Sequence, residues 1–116
     1  MKTLLILNDA PYGSERTYNG LRLAGALAKR EGNEVRVFLM GDAVLTAHRH
    51  QKVPAGFYST EVMLAAVSRR SGQVGACGSC LDARGIATAD LSEGCHRSTL
   101  EELADWPGWS EKVLVF

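Results

Sequence analysis

The sequence has no excess charge of either sign and no long apolar run, and each absence argues against a class of protein. Thirteen Lys and Arg balance thirteen Asp and Glu among 116 residues, whereas a nucleic-acid-binding protein usually needs a basic face that neutralises phosphates. The longest apolar run spans residues 62–67, far short of the roughly 20 residues that cross a bilayer. The run at residues 4–7 is also shorter than the roughly 7–15 residues of a signal-peptide core. We therefore expect no direct nucleic-acid partner, no membrane association and no signal peptide.

Cysteine is scarce as well. Three cysteines cannot all pair within one chain, and thiols that stay reduced are typical of the cytoplasm. The length is that of one domain, and a chain of this size buries about two thirds of its unfolded surface, so its core needs neither disulfides nor a metal. The sequence predicts a single cytoplasmic domain over residues 1–116.

Several nucleotide and hydrolase motifs are missing. No two glycines are separated by one residue, so there is no Gly-x-Gly-x-x-Gly fingerprint, and no Gly-Lys-Ser/Thr phosphate loop is present. The Gly-x-Ser-x-Gly nucleophile elbow is absent too. We expect no cofactor.

Short apolar runs alternate with helical patterns along the chain. Because strands that alternate with helices form parallel βαβ units, this order predicts an α/β layer fold with helices on both faces of the sheet. The predicted strands span residues 3–7, 35–40, 74–77 and 112–116, and the predicted helices span 15–30, 60–70 and the segment between Ser98 and Pro107.

Local signals set the predicted ends of these helices. Ser14 is placed to cap the first helix. Ser98 and Glu101 match a capping box, and Pro107 should end the last helix. The run 62–67 is apolar nearly all round, so the second helix should be buried by the sheet or by another subunit.

Ligands of open parallel sheets gather outside the carboxyl ends of the strands. The chain offers four such places, at residues 8–9, at 41–42, from Cys77 onward, and around 95–96. The third holds the most reactive chemistry, in the sequence CGSCLDARG over residues 77–85. A thiol at a strand end that begins a helical turn meets unpaired N–H groups, and a Cys-x-x-Cys arrangement lowers the thiol pKa from ~8.5 into a range of about 3.5–7.5. Cys77 and Cys80 are therefore the candidate catalytic residues.

Four neighbours are the candidate substrate-binding residues. Gly78, with Gly75, leaves room for a close approach to Cys77. Arg84 lies four residues after Cys80, so on a helix it shares a face with both thiols and its charge would stabilise a thiolate or persulfide. Ser79 is placed to cap the helical turn. Asp42 either orients the site or caps the turn that follows its strand, and capping is the simpler interpretation.

Other interpretations of the thiols stand beside this one. Cys77 alone at the end of a buried strand would be a small core residue. A structural zinc site needs four ligands, and the remaining thiol and its neighbouring imidazole, Cys95 and His96, point to opposite faces of a strand. A thioredoxin-like fold places its Cys-x-x-Cys after the first strand of its unit, whereas here the motif follows the third. No metal is expected.

The order of these segments resembles the DsrE/DsrF-like family, which has the YchN-like fold. The resemblance spans nearly the whole chain and is carried by the segments NDAPYGS at 8–14, YNGLRLA at 18–24, FLMGDAV at 38–44, CGSCLDARGI at 77–86, LEEL at 100–103 and KVLVF at 112–116.

The resemblance implies a three-layer α/β/α domain with a parallel five-stranded sheet, assembled into trimers or hexamers, and it implies sulfur handling. In relatives that relay sulfur, a cysteine seven residues before an Arg-Gly pair carries a persulfide, and Cys77 reproduces that spacing with Arg84 and Gly85. These relatives include a subunit that relays sulfur for tRNA thiolation, in which Cys80 has no counterpart. Cys80 therefore either resolves the persulfide as an internal disulfide or is a substitution particular to this branch of the family.

Three functional hypotheses follow. The first is a persulfide carrier, a possible sulfurtransferase, that receives sulfur from a donor protein and passes it to an acceptor. The second is a non-enzymatic oligomeric binding or scaffold domain in which the cysteines pack at an interface. The third is a dithiol redox module with a Cys77–Cys80 disulfide.

Overall fold

A computed structural model describes residues 1–70 and 72–116. Five strands form one sheet in the order β4-β3-β2-β1-β5, and every neighbouring pair is parallel. The strands are β1 (Lys2–Leu7), β2 (Glu34–Leu39), β3 (Gln73–Cys77), β4 (Cys95–Ser98) and β5 (Lys112–Val115). The helices are α1 (Arg16–Ala28), α2 (Thr60–Arg69), α3 (Gly78–Ala83) and α4 (Leu100–Trp109), with 3-10 helices at Gly41–Ala47 and Thr88–Asp90.

Both faces of the sheet are covered, which confirms the predicted three-layer α/β/α fold. On one face, Leu5 and Val37 join the large core with Leu21 of α1 and Leu64 of α2. On the other face, Leu4 and Phe38 pack with Trp106 of α4. The central strand β1 reads as a nearly continuous apolar run rather than an alternating one because both sides of the sheet are buried there.

The two thiols of the motif lie at the carboxyl edge of the sheet because β3 ends at Cys77. Ser98 is the register partner of Cys77 and ends β4 at the same edge. Cys95 pairs with Val74 at the start of the same ladder and therefore lies toward the amino edge. The prediction that residues 95–96 stand at a carboxyl strand end was wrong, because β4 continues to Ser98.

The predicted start of the first helix was also displaced. The N-cap of α1 is Glu15, without a side-chain cap, and the Ser14 hydroxyl donates to Asp9 Oδ2 at 2.8 Å. Ser14 still accepts the N–H of Arg16 at 3.4 Å, so it supports the start of the helix from the position before the N-cap and not as the N-cap itself.

The last helix differs at both ends. Its N-cap is Thr99, whose hydroxyl accepts the N–H of Glu102 at 3.2 Å, so the capping motif lies one residue later than Ser98 and Glu101. Pro107 is inside α4 and does not end it. The ring is accommodated in the last turn, after which Ser110 donates its N–H to the carbonyls of Trp106 and Pro107.

The apolar run of α2 is buried on one stripe only. Leu64 and Val67 are fully buried, whereas Val62 is 67% exposed. The sheet thus buries one side of this helix, and burial of the remaining apolar side chains by another subunit stays a prediction. Among the described residues, no helix is long and apolar enough to span a membrane.

Candidate functional site

Cys77 is both the last residue of β3 and the N-cap of α3. Its Sγ accepts the backbone N–H of Cys80 at 3.4 Å, and the hydroxyl of Ser79 lies 3.3 Å from the same sulfur. The sulfur therefore occupies the capping place that an oxygen usually takes at the start of a helix. Ser79 contacts the thiol directly instead of serving as the cap.

These contacts set the acidity of the Cys77 thiol. Desolvation by partial burial raises its pKa, but hydrogen bonds from Cys80 and Ser79 favour the thiolate, and the net pKa lies below the ordinary value for cysteine. Since the thiolate is the nucleophilic form of cysteine, this balance makes Cys77 the more reactive thiol of the pair.

Cys80 has the opposite balance. Its Sγ accepts the N–H of Gly41 at 3.3 Å, which links α3 to the segment after β2. Desolvation and the hydrogen bond to Cys77 raise the pKa of the Cys80 thiol, and these effects exceed the lowering by Gly41 and Arg84. The motif thus holds one thiol whose pKa is lowered beside one whose pKa is raised.

Arg84 binds Asp42 rather than either sulfur. Its Nε and Nη2 donate to Asp42 Oδ1 at 3.1 and 2.7 Å, and its Nη1 donates to the carbonyl of Cys80 at 3.0 Å. The prediction that Asp42 caps the turn after β2 was wrong, because that turn has no side-chain cap and the carboxylate is held by Arg84. The charge of Arg84 lowers the pKa of Cys80 without a hydrogen bond to the sulfur of Cys77.

The two glycines beside Cys77 make room for the chain itself. A Cβ at Gly75 would lie 3.2 Å from both Ser98 and Trp106. One at Gly78 would lie 2.9 Å from the carbonyl oxygen of Ser98 and 3.2 Å from Nε of Arg97. The space expected for a close approach is thus filled by β4 and α4, and the role of Gly78 in substrate binding stays a prediction.

A cavity of about 430 Å³ opens beside the two thiols. Its walls come from the carboxyl ends of β2, β3 and β4, from α3 and from the start of α4. The sequence did not indicate its two charged lining residues, Arg97 and Asp82, which form an ion pair at 2.6 Å. A predicted strand that continued two residues beyond His96 would have placed Arg97 and Ser98 at this edge. The four-residue strand β4 has no hydrophobic pattern that marks its end, however.

The third thiol is remote from this chemistry. Cys95 lies within 3.3 Å of the Ser92 hydroxyl, and burial, with the nearby Glu61 carboxylate, raises its pKa. The neighbouring His96 is bonded to Glu102 on the α4 side. All three cysteines are unpaired, and no group of three or more His, Cys, Asp or Glu residues is arranged to hold a metal within residues 1–70 and 72–116.

Comparison with known proteins gives consistent matches along the whole chain. The model of the DsrE/DsrF-like family matches residues 1–116. Protein YchN of Escherichia coli K12 is 44% identical over 116 residues, which cover 99% of this chain and 98% of YchN. The uncharacterized protein MK0008 of Methanopyrus kandleri is 35% identical over 112 residues, 97% of this chain and 91% of its own length.

Solved structures agree with these matches. The crystal structure of YchN from E. coli superposes with a TM-score of 0.93 at 43% identity and covers 99% of this chain and 98% of that one. The protein of unknown function MTH1491 from Methanobacterium thermoautotrophicum superposes with a TM-score of 0.76 at 14% identity, over 99% of this chain and 98% of its own, and it shares the fold.

Proposed function

The chain belongs to the DsrE/DsrF-like family, and on that basis we propose that it is a sulfur carrier in which Cys77 holds a persulfide. The observation that carries the proposal is the environment of the Cys77 sulfur, which receives the N–H of Cys80 and faces the hydroxyl of Ser79 beside an open cavity. Hydrogen bonds that favour the Cys77 thiolate suit both steps of sulfur transfer, because the thiolate is the attacking group in the first step and the leaving group in the second.

The proposed transfer has two steps. The thiolate of Cys77 attacks the outer sulfur of a donor persulfide, the S–S bond of the donor breaks, and the donor leaves as a thiolate. An acceptor thiolate then attacks the outer sulfur on Cys77, and the new S–S bond breaks to release the Cys77 thiolate. The proton of the outer sulfur is retained in each exchange, so neither step needs an oxidant or a reductant.

The ion pair of Arg84 and Asp42 does not contact the Cys77 sulfur but holds the neighbouring Cys80 in place. Through Cys80 and Gly41 it joins α3 to the turn after β2, and in this proposal it keeps the Cys80 N–H directed at Cys77. Arg84 and Asp42 are positioning residues here, and Ser79 is the side chain that contacts the reacting sulfur.

We propose that this carrier acts in the cytoplasm, as a homo-oligomer, with donor and acceptor proteins as its partners. Three unpaired cysteines suit a compartment that keeps thiols reduced. The exposed Val62 on α2 and the exposed Val113 and Val115 on the edge strand β5 provide apolar surface for trimer or hexamer contacts. Sedimentation of the purified protein tests the assembly, and a monomer at micromolar concentration would contradict it.

The test of the carrier is a loading experiment. Reduced protein is incubated with a persulfidated donor, and its intact mass is measured before and after treatment with a reductant. We expect a gain of one sulfur atom in the wild type and in Cys80→Ser, and no gain in Cys77→Ser. Retained loading on Cys77→Ser would transfer the role to Cys80 or Cys95, and no loading accompanied by thiols that resist alkylation would leave the oligomeric scaffold.

A dithiol redox module is the second candidate, and the contact between the two thiols favours it. Cys80 donates its N–H to the Cys77 sulfur, and the two thiols differ in pKa as an attacking and a resolving thiol do. Such a module forms a Cys77–Cys80 disulfide in a glutathione redox buffer with a defined potential and does not retain sulfur. Quenching with an alkylating agent followed by mass spectrometry separates the two outcomes.

A further inference from the structure

The cavity beside Cys77 has mainly apolar walls. Phe38 and Met40 contribute one side, at the end of β2, and Leu100 and Leu103 contribute the other, from the first turn of α4. Its volume of about 430 Å³ falls within the range of about 300–1,000 Å³ that is typical of small-molecule pockets. The nucleophilic thiol of Cys77 is part of the wall.

The polar side chains around the cavity already have partners within the chain. Arg97 binds Asp82 and the carbonyl of Gly78 through Nη2, so the two charges neutralise each other. The hydroxyl of Ser98 donates to Glu102, and that of Thr99 caps α4. A charged or strongly polar ligand would therefore find no unpaired charge here to offset its desolvation.

We infer that this cavity binds the uncharged apolar body of a low-molecular-weight persulfide, with its outer sulfur against Cys77. The inference rests on the proposed carrier function and assigns the donor step to a small molecule in place of the donor protein proposed above, while the acceptor remains a protein. An alkyl or aryl group would contact Phe38, Met40 and Leu103, and Leu100, which is 72% exposed, would cover it at the rim.

The reaction assigned to the site is sulfur transfer from such a donor, R–S–SH. The Cys77 thiolate attacks the outer sulfur, the bond between the two donor sulfurs breaks, and the products are the Cys77 persulfide and R–S⁻. The apolar body stays in the cavity while the electron pair moves to the inner sulfur of the donor.

The experiment separates ligand preference from sulfur transfer by using two kinds of probe. In the first arm, alkylation of Cys77 by N-benzylmaleimide and by N-(2-hydroxyethyl)maleimide is followed by peptide mass spectrometry, with N-acetylcysteine correcting for intrinsic reactivity. In the second arm, Cys77 is loaded from 2-phenylethyl persulfide and from 2-hydroxyethyl persulfide. With N-acetylcysteine as the reference thiol in both arms, we expect the apolar probe to react with Cys77 about tenfold faster than the polar probe after correction, because its ring is removed from water in the cavity.

Two variants test whether the preference of Cys77 for apolar probes arises from the cavity. Leu100→Asp puts a charge at the rim and should reduce the apolar preference several-fold. Phe57→Asp is the matched control, since Phe57 is 71% exposed and does not line the cavity, and it should keep the wild-type preference.

Each outcome has one meaning. Equal corrected rates for apolar and polar probes, or a preference that survives Leu100→Asp, would overturn the inference about the substrate while leaving the carrier function in place. An apolar preference in the maleimide arm without any loading in the persulfide arm would overturn the carrier function and, with it, the assignment of a persulfide as the ligand.

Discussion

The guanidinium of Arg84 donates two hydrogen bonds to a single oxygen of Asp42, from Nε at 3.1 Å and from Nη2 at 2.7 Å. The ion pair joins the end of α3 to the turn after β2, across 42 positions of sequence. Its third bond, to the carbonyl of Cys80, places the charge beside the less acidic thiol. Arg84 thus acts on the reactive pair through Cys80.

Replacing Arg84 should therefore change the titration of Cys80. The charge of Arg84 lowers the pKa of that thiol, so Arg84→Gln should raise it further and slow Cys80 alkylation several-fold near neutral pH, whereas Arg84→Lys should keep most of the effect. The pH profile of Cys80 labelling, measured in a Cys77→Ser background, checks this. Arg97→Gln is the matched control, because it removes the same charge from a residue bonded to Asp82; an equal shift in that variant would contradict a specific role for Arg84.

Ser79 should control the reactivity of Cys77. Its hydroxyl lowers the pKa of the Cys77 thiol, so Ser79→Ala should raise that pKa and move the alkylation profile of Cys77 to higher pH. One hydrogen bond of ordinary strength corresponds to a rate loss of about two- to tenfold at neutral pH. Iodoacetamide pulses at several pH values, resolved by peptide mass spectrometry, measure the shift. Ser110→Ala is the control, since the Ser110 hydroxyl donates to Pro107 far from the site, and an unmoved profile in Ser79→Ala would show that the hydroxyl does not reach the thiolate.

The sequence predicted the layer architecture because four of the five strands, all but β4, appear in it as short, mainly apolar runs. Residues 4–7 of β1 are all apolar and pack into the cores on both faces of the sheet, which distinguishes this stretch from surface segments. The position of Cys77 followed from this, since a thiol directly after a buried parallel strand must stand at the carboxyl edge. The family resemblance added the number of strands, which the structure confirms.

The rest of the site depends on contacts that local sequence does not encode. The β4 strand is only four residues long and largely polar, so neither its end nor the approach of Arg97 to Gly78 was predictable. Two overlapping capping patterns, Ser98 with Glu101 and Thr99 with Glu102, fit the same segment. The structure uses the second, in which Ser98 completes β4 and its hydroxyl is free to bond Glu102. The ion pair of Asp42 was not predictable for a similar reason, because its partner lies 42 residues away.

Gly78 should be sensitive to a single methyl group. A Cβ there would meet the Ser98 carbonyl at 2.9 Å and the guanidinium of Arg97 beyond it, so Gly78→Ala must displace the backbone of β4 or α3 and should cost about 1–3 kcal/mol of unfolding free energy. Urea denaturation gives the value. Gly108→Ala is the opposite case, since nothing lies within 4 Å of its Cβ position in α4; it should be neutral or stabilise by up to about 1 kcal/mol. Equal effects of the two substitutions would contradict the close packing described for Gly78.

Glu102 should make folding depend on pH in the acidic range. Desolvation raises its pKa, but hydrogen bonds from Ser98 and His96 and the charges of His96 and Arg36 outweigh this, and the net pKa in the folded chain is lowered. A carboxyl group with a depressed folded-state pKa adds stability that is complete above its unfolded pKa, about 4.3, and is lost as pH falls through the lower folded-state value.

Glu102→Gln should therefore destabilise the protein near pH 6, where the carboxylate is ionised, and the difference from the wild type should shrink as the pH falls below about 4. Urea denaturation of both proteins between these limits measures the difference. Glu101→Gln is the matched control, because Glu101 precedes it in the same turn and is exposed, and its substitution should leave the pH dependence of the wild type in place. A wild-type-like acid profile for Glu102→Gln would mean that the bonds to Ser98 and His96 stabilise the neutral carboxyl as well as the carboxylate, and the lowered pKa would then be wrong.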